Sequence, residues 1–142
     1  MKLLPTLGFL GLLGLASGTP PTASSVCVYN DAAFVLKWHL EDVDSKSASP
    51  ESNSYPVWQS KCLQVSSIPN VTQGASVVPV VKAIWGKEII LGQPALYDTV
   101  NASVINYICK GTTLDFNCAQ GPPPPTAGNV TKKVSAIVML LY

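Results

Sequence analysis

The segment Ala33-Phe34-Val35-Leu36-Lys37-Trp38-His39-Leu40-Glu41-Asp42-Val43 decides the fold class. Large apolar side chains recur at every second position, namely Phe34, Leu36, Trp38 and Leu40. Polar side chains occupy most of the positions between them, namely Lys37, His39 and Glu41. Because successive side chains of a β-strand point to opposite faces, this alternation predicts a strand with one buried and one exposed face.

The rest of the chain shows similar short extended segments, separated by turns rich in Gly, Pro and Asn. We therefore predict an all-β fold, a single-domain antiparallel β-sandwich of about seven or eight strands, with a small barrel as the alternative. Pro79 indicates a strand that lies at an edge or carries a bulge. Residues 45–54 are predicted to be a polar loop with no structure of its own. The predicted strands are 26–30, 33–43, 55–65, 77–85, 88–91, 95–100, 104–110 and 113–118.

The N-terminus has the pattern of a secretory signal peptide, with Lys2, an apolar stretch over 3–15, and small residues before a cleavage site after Gly18. The apolar stretch is shorter than the roughly 20 residues that a membrane-spanning helix needs. We therefore expect a secreted, extracellular protein without a transmembrane span. The predicted organisation is a signal peptide over 1–18, an extended leader over 19–25, the β-sandwich over 26–119, a proline-rich tether over 120–130 and a terminal strand over 131–142.

The terminal strand is apolar on both of its alternating faces. One face carries Val134, Ala136, Val138 and Leu140. The other carries Ile137, Met139 and Leu141. A strand of this composition needs cover on both sides, so we expect it to pair either in its own sheet or in the sheet of a neighbouring subunit.

Four cysteines follow the signal peptide and predict two disulfides, namely Cys27, Cys62, Cys109 and Cys118. A zinc site is disfavoured, since no Cys-x-x-Cys pair occurs and His39 is the single histidine. A two-residue turn at 111–112 would hold the last two cysteines too far apart to bond, so a tight hairpin and that bridge exclude each other. We favour the sequential pairs Cys27–Cys62 and Cys109–Cys118, with 109–118 forming a wider loop.

The sequence contains no catalytic, metal-binding or cofactor-binding motif. The single histidine has no recognisable nucleophile beside it, and the acids Glu41, Asp42 and Asp44 lack the spacing and turn glycine of a calcium loop. The chain has no arginine, and without Lys2 eight lysines balance eight acids. This balance argues against binding to nucleic acid and against attraction to anionic membranes, while it permits self-association. We expect a non-enzymatic protein without a cofactor.

Three N-glycosylation sequons lie beside turn signals, so N-linked glycans are expected at Asn70, Asn101 and Asn129. Among the aromatic side chains, Trp38 is in phase with the predicted core face. Trp58 and Trp85 fit no predicted core face as clearly, and they are candidates for a sugar-binding platform.

Five motifs carry a resemblance to known proteins, namely CVYN at 27–30, FVLKW at 34–38, YPVWQSKC at 55–62, VPVVKAIWGK at 78–87 and YICKGTTLDFNC at 107–118. They resemble small secreted, disulfide-bonded β-sandwich glycoproteins of microbial eukaryotes. The chain is also similar to subunits of extracellular glycoprotein fibrils, which link head to tail. More distantly it resembles aegerolysin-type lipid-binding sandwiches, although its signal peptide and disulfides depart from that pattern. The resemblance implies a β-sandwich more than it implies any activity.

Two functions are compatible with these features. The first is a structural glycoprotein whose partner is a second copy of itself, assembled head to tail into an extracellular fibril by passing its terminal strand into the next subunit. The alternative is a monomeric module that binds an extracellular glycan or lipid through exposed aromatic side chains.

Overall fold

Residues 18–124 are described by a computed structural model, and they form a β-sandwich of two sheets. Between 18 and 124 no residue is α-helical, and one short 3₁₀ helix spans Val65–Ser67. The prediction of an all-β sandwich is confirmed. The strands are β1 Thr22–Ala23, β2 Ser25–Asn30, β3 Leu36–Asp42, β4 Ser60–Gln64, β5 Ser76–Ala83, β6 Glu88–Ile90, β7 Ala95–Tyr97, β8 Val104–Gly111 and β9 Phe116–Gly121.

The two sheets contain both parallel and antiparallel pairs. The first, sheet A, has the order β1-β7-β5-β3, and β6 also pairs with β5; the second, sheet B, has the order β4-β2-β8-β9. β1 pairs with β7 and β2 pairs with β8 in parallel, so each sheet is mixed rather than wholly antiparallel. Each parallel pair joins strands far apart in the sequence, which leaves room for the crossover that parallel neighbours need.

β3 has the two faces that its sequence predicts. The side chains at alternate positions from Leu36 to Leu40 have no exposed surface and belong to the core between the sheets. Those between them, from Lys37 to Glu41, are half-buried on the outer face of sheet A. Full burial of a large apolar side chain contributes about 1.5–3 kcal/mol, so this face of β3 is a major source of the attraction between the sheets.

The residues expected to form an extended leader contribute a strand to the sandwich. β1 pairs with β7 through Thr22 and Ala23, and Ala23 has no exposed surface. A two-residue strand is too short for an alternating pattern to be recognised. At the other end of the domain β9 extends to Gly121. The paired strands therefore span 22–121.

The polar loop 45–54 covers the outer edge of β3, where the sequence predicted no structure. The hydroxyl oxygens of Ser49 and Ser52 accept hydrogen bonds from the N–H groups of Leu40 at 2.9 Å and Trp38 at 3.1 Å. The N–H groups of the same serines donate to the carbonyl oxygens of Leu40 and Trp38, both at 2.8 Å. An uncovered strand edge recruits other chains through its unpaired backbone groups, and this loop removes that hazard for β3.

Pro79 lies in β5, which is a central strand and not an edge. β5 pairs with β3 along one side, and along the other it pairs first with β7 and then with β6. Pro79 falls between these last two partners, where its carbonyl accepts a hydrogen bond from the N–H of Leu91 at 3.0 Å. At such a gap a residue without an N–H interrupts no ladder bond.

Both disulfides form, in the sequential pairing. Cys27 and Cys62 join β2 to β4, whereas Cys109 and Cys118 join β8 to β9 and belong to the core. The β8–β9 connection is the wider loop, since Gly111 pairs with Phe116 and four residues lie between them. Two disulfides are typical of proteins in an oxidising compartment such as the extracellular space.

Some predictions concern residues outside 18–124. They are the signal peptide, glycosylation of Asn129, the tether beyond residue 124, and the terminal strand with its assembly residues over 134–141. These stay predictions. Within 18–124, the structure contains no helix with the length and apolar character needed to cross a membrane.

Candidate functional site

Four connections between strands meet at one end of the sandwich. β2 and β8 run in parallel and end together, and the β8–β9 turn follows at that end. β5 ends beside the start of its antiparallel partner β3, and β4 begins beside the end of β2. We call this the apolar end, and it consists of the connections 31–35, 56–59, 84–87 and 112–115.

Backbone hydrogen bonds tie neighbouring connections together. The N–H of Ala33 donates to the carbonyl of Gly111 at 3.0 Å, and the N–H of Ile84 donates to the carbonyl of Val35 at 2.9 Å. These bonds link the β2–β3 connection both to sheet B and to the β5–β6 turn. The connections therefore form one structural unit.

The β5–β6 turn also packs closely against the β8–β9 turn. The N–H of Lys87 donates to the carbonyl of Thr113 at 3.2 Å. Gly86 permits this approach, because a Cβ at that position would collide with the carbonyl oxygen and side chain of Thr113. The glycine thus allows two turns from different sheets to meet.

Large apolar side chains at this end are exposed to solvent. Trp85 is 95% exposed, Leu114 80%, Trp58 75% and Val35 40%, and each lies on a different connection. Single exposed apolar side chains are normal, but a concentration that includes two tryptophans marks a candidate interaction site. The other large apolar side chains exposed between 18 and 124 lie away from this end, namely Ile90, Val100 and Val104.

Both exposed tryptophans have a left-handed backbone, with φ of 66° at Trp58 and 66° at Trp85. Glycine adopts this region freely, whereas another residue there costs about 1–3 kcal/mol. Glycine would therefore suit both positions better if only stability mattered. Strained residues of this kind concentrate at binding and active sites. The sequence predicted Trp58 inside a strand over 55–65, but it lies in a turn that precedes β4.

Asn30, at the end of β2, holds two of the connections and is fully buried. The N–H of Trp58 donates to the carbonyl of Asn30 at 2.6 Å, and the N–H of Asn30 donates to the carbonyl of Gln59 at 2.9 Å. In the side chain, Nδ2 donates to the carbonyl of Phe34 at 2.7 Å, and Oδ1 accepts from the N–H of Ala32 at 3.0 Å. One buried residue therefore fixes both the turn of Trp58 and the β2–β3 connection.

The turn that presents Leu114 is closed by its own backbone. The N–H of Thr112 donates to the carbonyl of Asp115 at 2.9 Å, and the reverse bond measures 3.2 Å. Gly111 precedes the turn with φ of 125°, a conformation that L side chains rarely adopt. The disulfide between Cys109 and Cys118 joins the two strands directly behind it. A turn held in this way loses little conformational freedom when it binds a partner.

The opposite end, called the far end, carries the two sequon asparagines that lie within 18–124. Asn70 and Asn101 are both exposed in bends or turns. The side chain of Asn101 donates to Oδ2 of Asp98 at 2.9 Å, and this bond, with backbone N–H groups, holds the pKa of Asp98 below its usual range. β2 starts and β9 finishes at the far end. Glycans at these asparagines would therefore lie away from the apolar end.

The other polar residues singled out from the sequence do not converge on a site. His39 is half-buried on the outer face of sheet A, opposite Val80 of β5. Oδ1 of Asp42 accepts the N–H groups of Asp44 at 2.9 Å and Ser45 at 3.3 Å, which is the bonding of a turn. Among residues 18–124, no group of three or more His, Cys, Asp or Glu side chains is placed to hold a metal ion.

Within residues 18–124, each sheet has a cleft on its outer face. One, of about 390 Å³, lies on sheet B beside Ile108 and Ala119. The other, of about 250 Å³, lies on sheet A beside Val78 and Ile90. Neither cleft is lined by a residue of the four connections. The apolar end therefore presents its side chains outward on protruding turns.

No family model and no curated protein matches this chain. Parts of several solved structures match it. A trapped toxin is 16% identical over 70% of this chain and 24% of its own, with a TM-score of 0.37. Listeriolysin O is 10% identical over 71% of this chain and 22% of its own, with a TM-score of 0.39. Pneumolysin is 9% identical over 70% of this chain and 23% of its own, with a TM-score of 0.37.

This chain thus spans about a quarter of the length of the proteins that it matches. At these TM-scores the likeness carries no argument about function. The resemblance to fibril subunits has no counterpart among these three matches and stays a prediction.

Proposed function

We propose that this protein is a peripheral lipid-binding module that docks on the surface of a bilayer through its apolar end. The observation that carries the proposal is the pair of tryptophans, Trp58 and Trp85, exposed on left-handed turns at the same end. Tryptophan is enriched at the membrane–water interface, because its apolar ring and polar N–H suit the two environments that meet there. Leu114 and Val35 add purely apolar surface beside them.

A lipid surface suits these side chains better than a glycan or another small ligand does. Small ligands are usually enclosed in a concave pocket, with a few polar groups that fix their orientation. The apolar end instead presents its side chains on four separate turns, and two of the four, Leu114 and Val35, offer no polar atom. A bilayer is broad enough to receive all four turns at once.

The exposed area is sufficient for reversible attachment. Moving a large apolar side chain out of water contributes about 1.5–3 kcal/mol, so two tryptophans and Leu114 together give a gross gain of about 5–9 kcal/mol. Immobilising the protein on the surface offsets part of that gain. We therefore expect weak, reversible binding, comparable to that of a single myristoyl chain.

Secretion and glycosylation belong to the same proposal. The two disulfides fit an oxidising compartment, and Asn70 and Asn101 are exposed at the far end, where glycans would not obstruct the bilayer. The fibril prediction rests on residues 131–142, outside the described part of the chain. The two functions are compatible, because β9 finishes at the far end and a tether that follows it starts away from the apolar end.

Vesicle flotation with the full chain tests the proposal. The wild type should float with phosphatidylcholine vesicles, and the double variant Trp58→Gly/Trp85→Gly should bind at least about tenfold more weakly. Glycine suits the left-handed backbone at both positions, so the double variant should be at least as stable as the wild type. A urea midpoint that does not fall excludes unfolding as the cause of lost binding.

The matched control is Val100→Ser, which removes an apolar side chain that is 83% exposed at the far end. This variant should bind as the wild type does. All three proteins contain the same apolar segment 134–141, so differences among them report on the substituted positions. Equal flotation of the wild type and the double variant would contradict the proposal. Binding to a glycan array that the double variant loses, without flotation, would assign the apolar end to sugars instead.

A further inference from the structure

The charges around the apolar end indicate which lipids it binds. We propose that it binds zwitterionic phospholipid surfaces and has no strong preference for anionic ones. This inference rests on the proposed lipid-binding function and specifies the class of its ligand.

The charges on the turns themselves nearly cancel. The four connections carry one lysine, Lys87, and two acids, Asp31 and Asp115. Asp115 directly follows Leu114, so a negative charge accompanies an apolar side chain toward the membrane. Behind the turns, Nζ of Lys110 lies 3.8 Å from Oδ2 of Asp31.

The strands behind the turns show the same balance. Nζ of Lys37 lies 2.8 Å from Oε1 of Glu51, and Lys82 is opposite Glu88 in the β5–β6 ladder. Lys61 on β4 adds one more positive charge. Together with the turns, this part of the sandwich holds five lysines against four acids, a net charge of +1.

A net charge of this size gives little electrostatic attraction to an anionic membrane. One net positive charge near the surface predicts a preference for anionic vesicles of less than about tenfold, whereas four would predict a preference of about a thousandfold. Added salt screens such attraction and leaves apolar insertion largely unaffected. We therefore expect an affinity that depends little on headgroup charge and little on salt.

Titration of the full chain with two kinds of vesicle tests this expectation. One is pure phosphatidylcholine, and the other contains about 30% phosphatidylserine. The two dissociation constants should differ by less than about tenfold. Between about 0.05 M and about 0.5 M NaCl, the constant for phosphatidylcholine vesicles should change by less than about threefold, and that for the phosphatidylserine vesicles by less than about tenfold.

A charge-reversal pair makes the test sharper. Asp115→Lys raises the net charge of an exposed turn of the apolar end by two, and it should increase the preference for phosphatidylserine about thirtyfold over that of the wild type, an increase that salt removes. Asp44→Lys makes the same change at an exposed position of the far end. It should leave binding unchanged, because the far end lies several Debye lengths, each about 8 Å, from the membrane.

The outcomes separate the inference from the function beneath it. A wild-type preference for phosphatidylserine above about tenfold, abolished by salt, would overturn the inference and leave the proposed function standing. Binding to neither kind of vesicle would overturn the proposed function itself. An equal gain from Asp44→Lys and Asp115→Lys would show that the apolar end does not face the membrane, and both proposals would fall.

Discussion

Replacing Asn30 with alanine should destabilise the sandwich and loosen the β2–β3 connection, which presents Val35. The buried Asn30 amide bonds the carbonyl of Phe34 at 2.7 Å and the N–H of Ala32 at 3.0 Å. Ala32 and Phe34 are themselves buried, so alanine would leave these two backbone groups without partners and away from water. Each such group costs about 1–3 kcal/mol, and the free energy of unfolding should fall by about 2–6 kcal/mol.

Urea unfolding measures this loss, with Asn106→Ala as the matched control. Asn106 is half-buried on β8 and lies outside the hydrophobic core, so removal of its side chain should change the free energy of unfolding by less than about 0.5 kcal/mol. Amide hydrogen exchange supplies a local measurement. In Asn30→Ala the amide of Ala32 should exchange faster. The amide of Trp58, whose bond to the backbone carbonyl of residue 30 remains, and the amides of β3 should stay protected until global unfolding.

Lipid binding distinguishes positioning of the β2–β3 connection from general stability. If Asn30 acted only on stability, vesicle binding by the variant would fall only in proportion to its unfolded fraction. If it positions the β2–β3 connection, folded Asn30→Ala binds vesicles more weakly than the wild type. A stability loss below about 1 kcal/mol with unchanged exchange at the amide of Ala32 would refute the reasoning.

Three further expectations follow from the core and the terminal strand. Trp38→Phe should lower the free energy of unfolding by clearly less than the roughly 3–5 kcal/mol expected for Trp38→Ala, because Trp38 is fully buried and phenylalanine keeps most of its apolar packing; thermal unfolding compares the two variants. The free energy of unfolding should decline as the pH rises above about 10, which is the ordinary pKa of tyrosine. Burial raises the pKa of Tyr55 and of Tyr107 in the folded protein, so the unfolded chain releases these protons at a lower pH and is favoured as the pH rises. Unfolding midpoints that stay level from neutral pH to well above that value would argue against this. Val138→Asp should prevent the growth of any fibres seen by negative-stain microscopy, and fibres of normal length would exclude exchange of the terminal strand.

The fold class could be predicted because apolar and polar side chains alternate along β3, and this alternation alone indicates which face of the strand is buried. The partners of the strands could not be predicted in the same way. β2 pairs in parallel with β8, far along the chain, and that choice depends on contacts that no local pattern encodes. The cover of the β3 edge by Ser49 and Ser52 could not be predicted for the same reason. It also depends on nonlocal contacts, since the two hydroxyl groups bond β3 residues 9 and 14 positions away.

The apolar end was predictable only in part. Trp58 and Trp85 could be singled out because neither fits a core face, but glycine and asparagine are the usual signals of left-handed turns, and tryptophan is not. Leu114 offered a weak signal, as a lone large apolar residue beside a turn. Asn30 offered none, because the Asn-Asp pair that it begins is typical of an exposed turn, whereas the residue is fully buried.

Fluorescence quenching by phospholipids brominated at different depths tests most directly whether the apolar end enters a bilayer. The Trp38→Phe variant retains only Trp58 and Trp85 as tryptophans, both at that end. Bromines near the headgroups should quench its emission strongly, and bromines near the bilayer centre should quench it weakly, because these side chains reach only the interface. Unchanged emission from protein that is bound to the brominated vesicles would contradict the account.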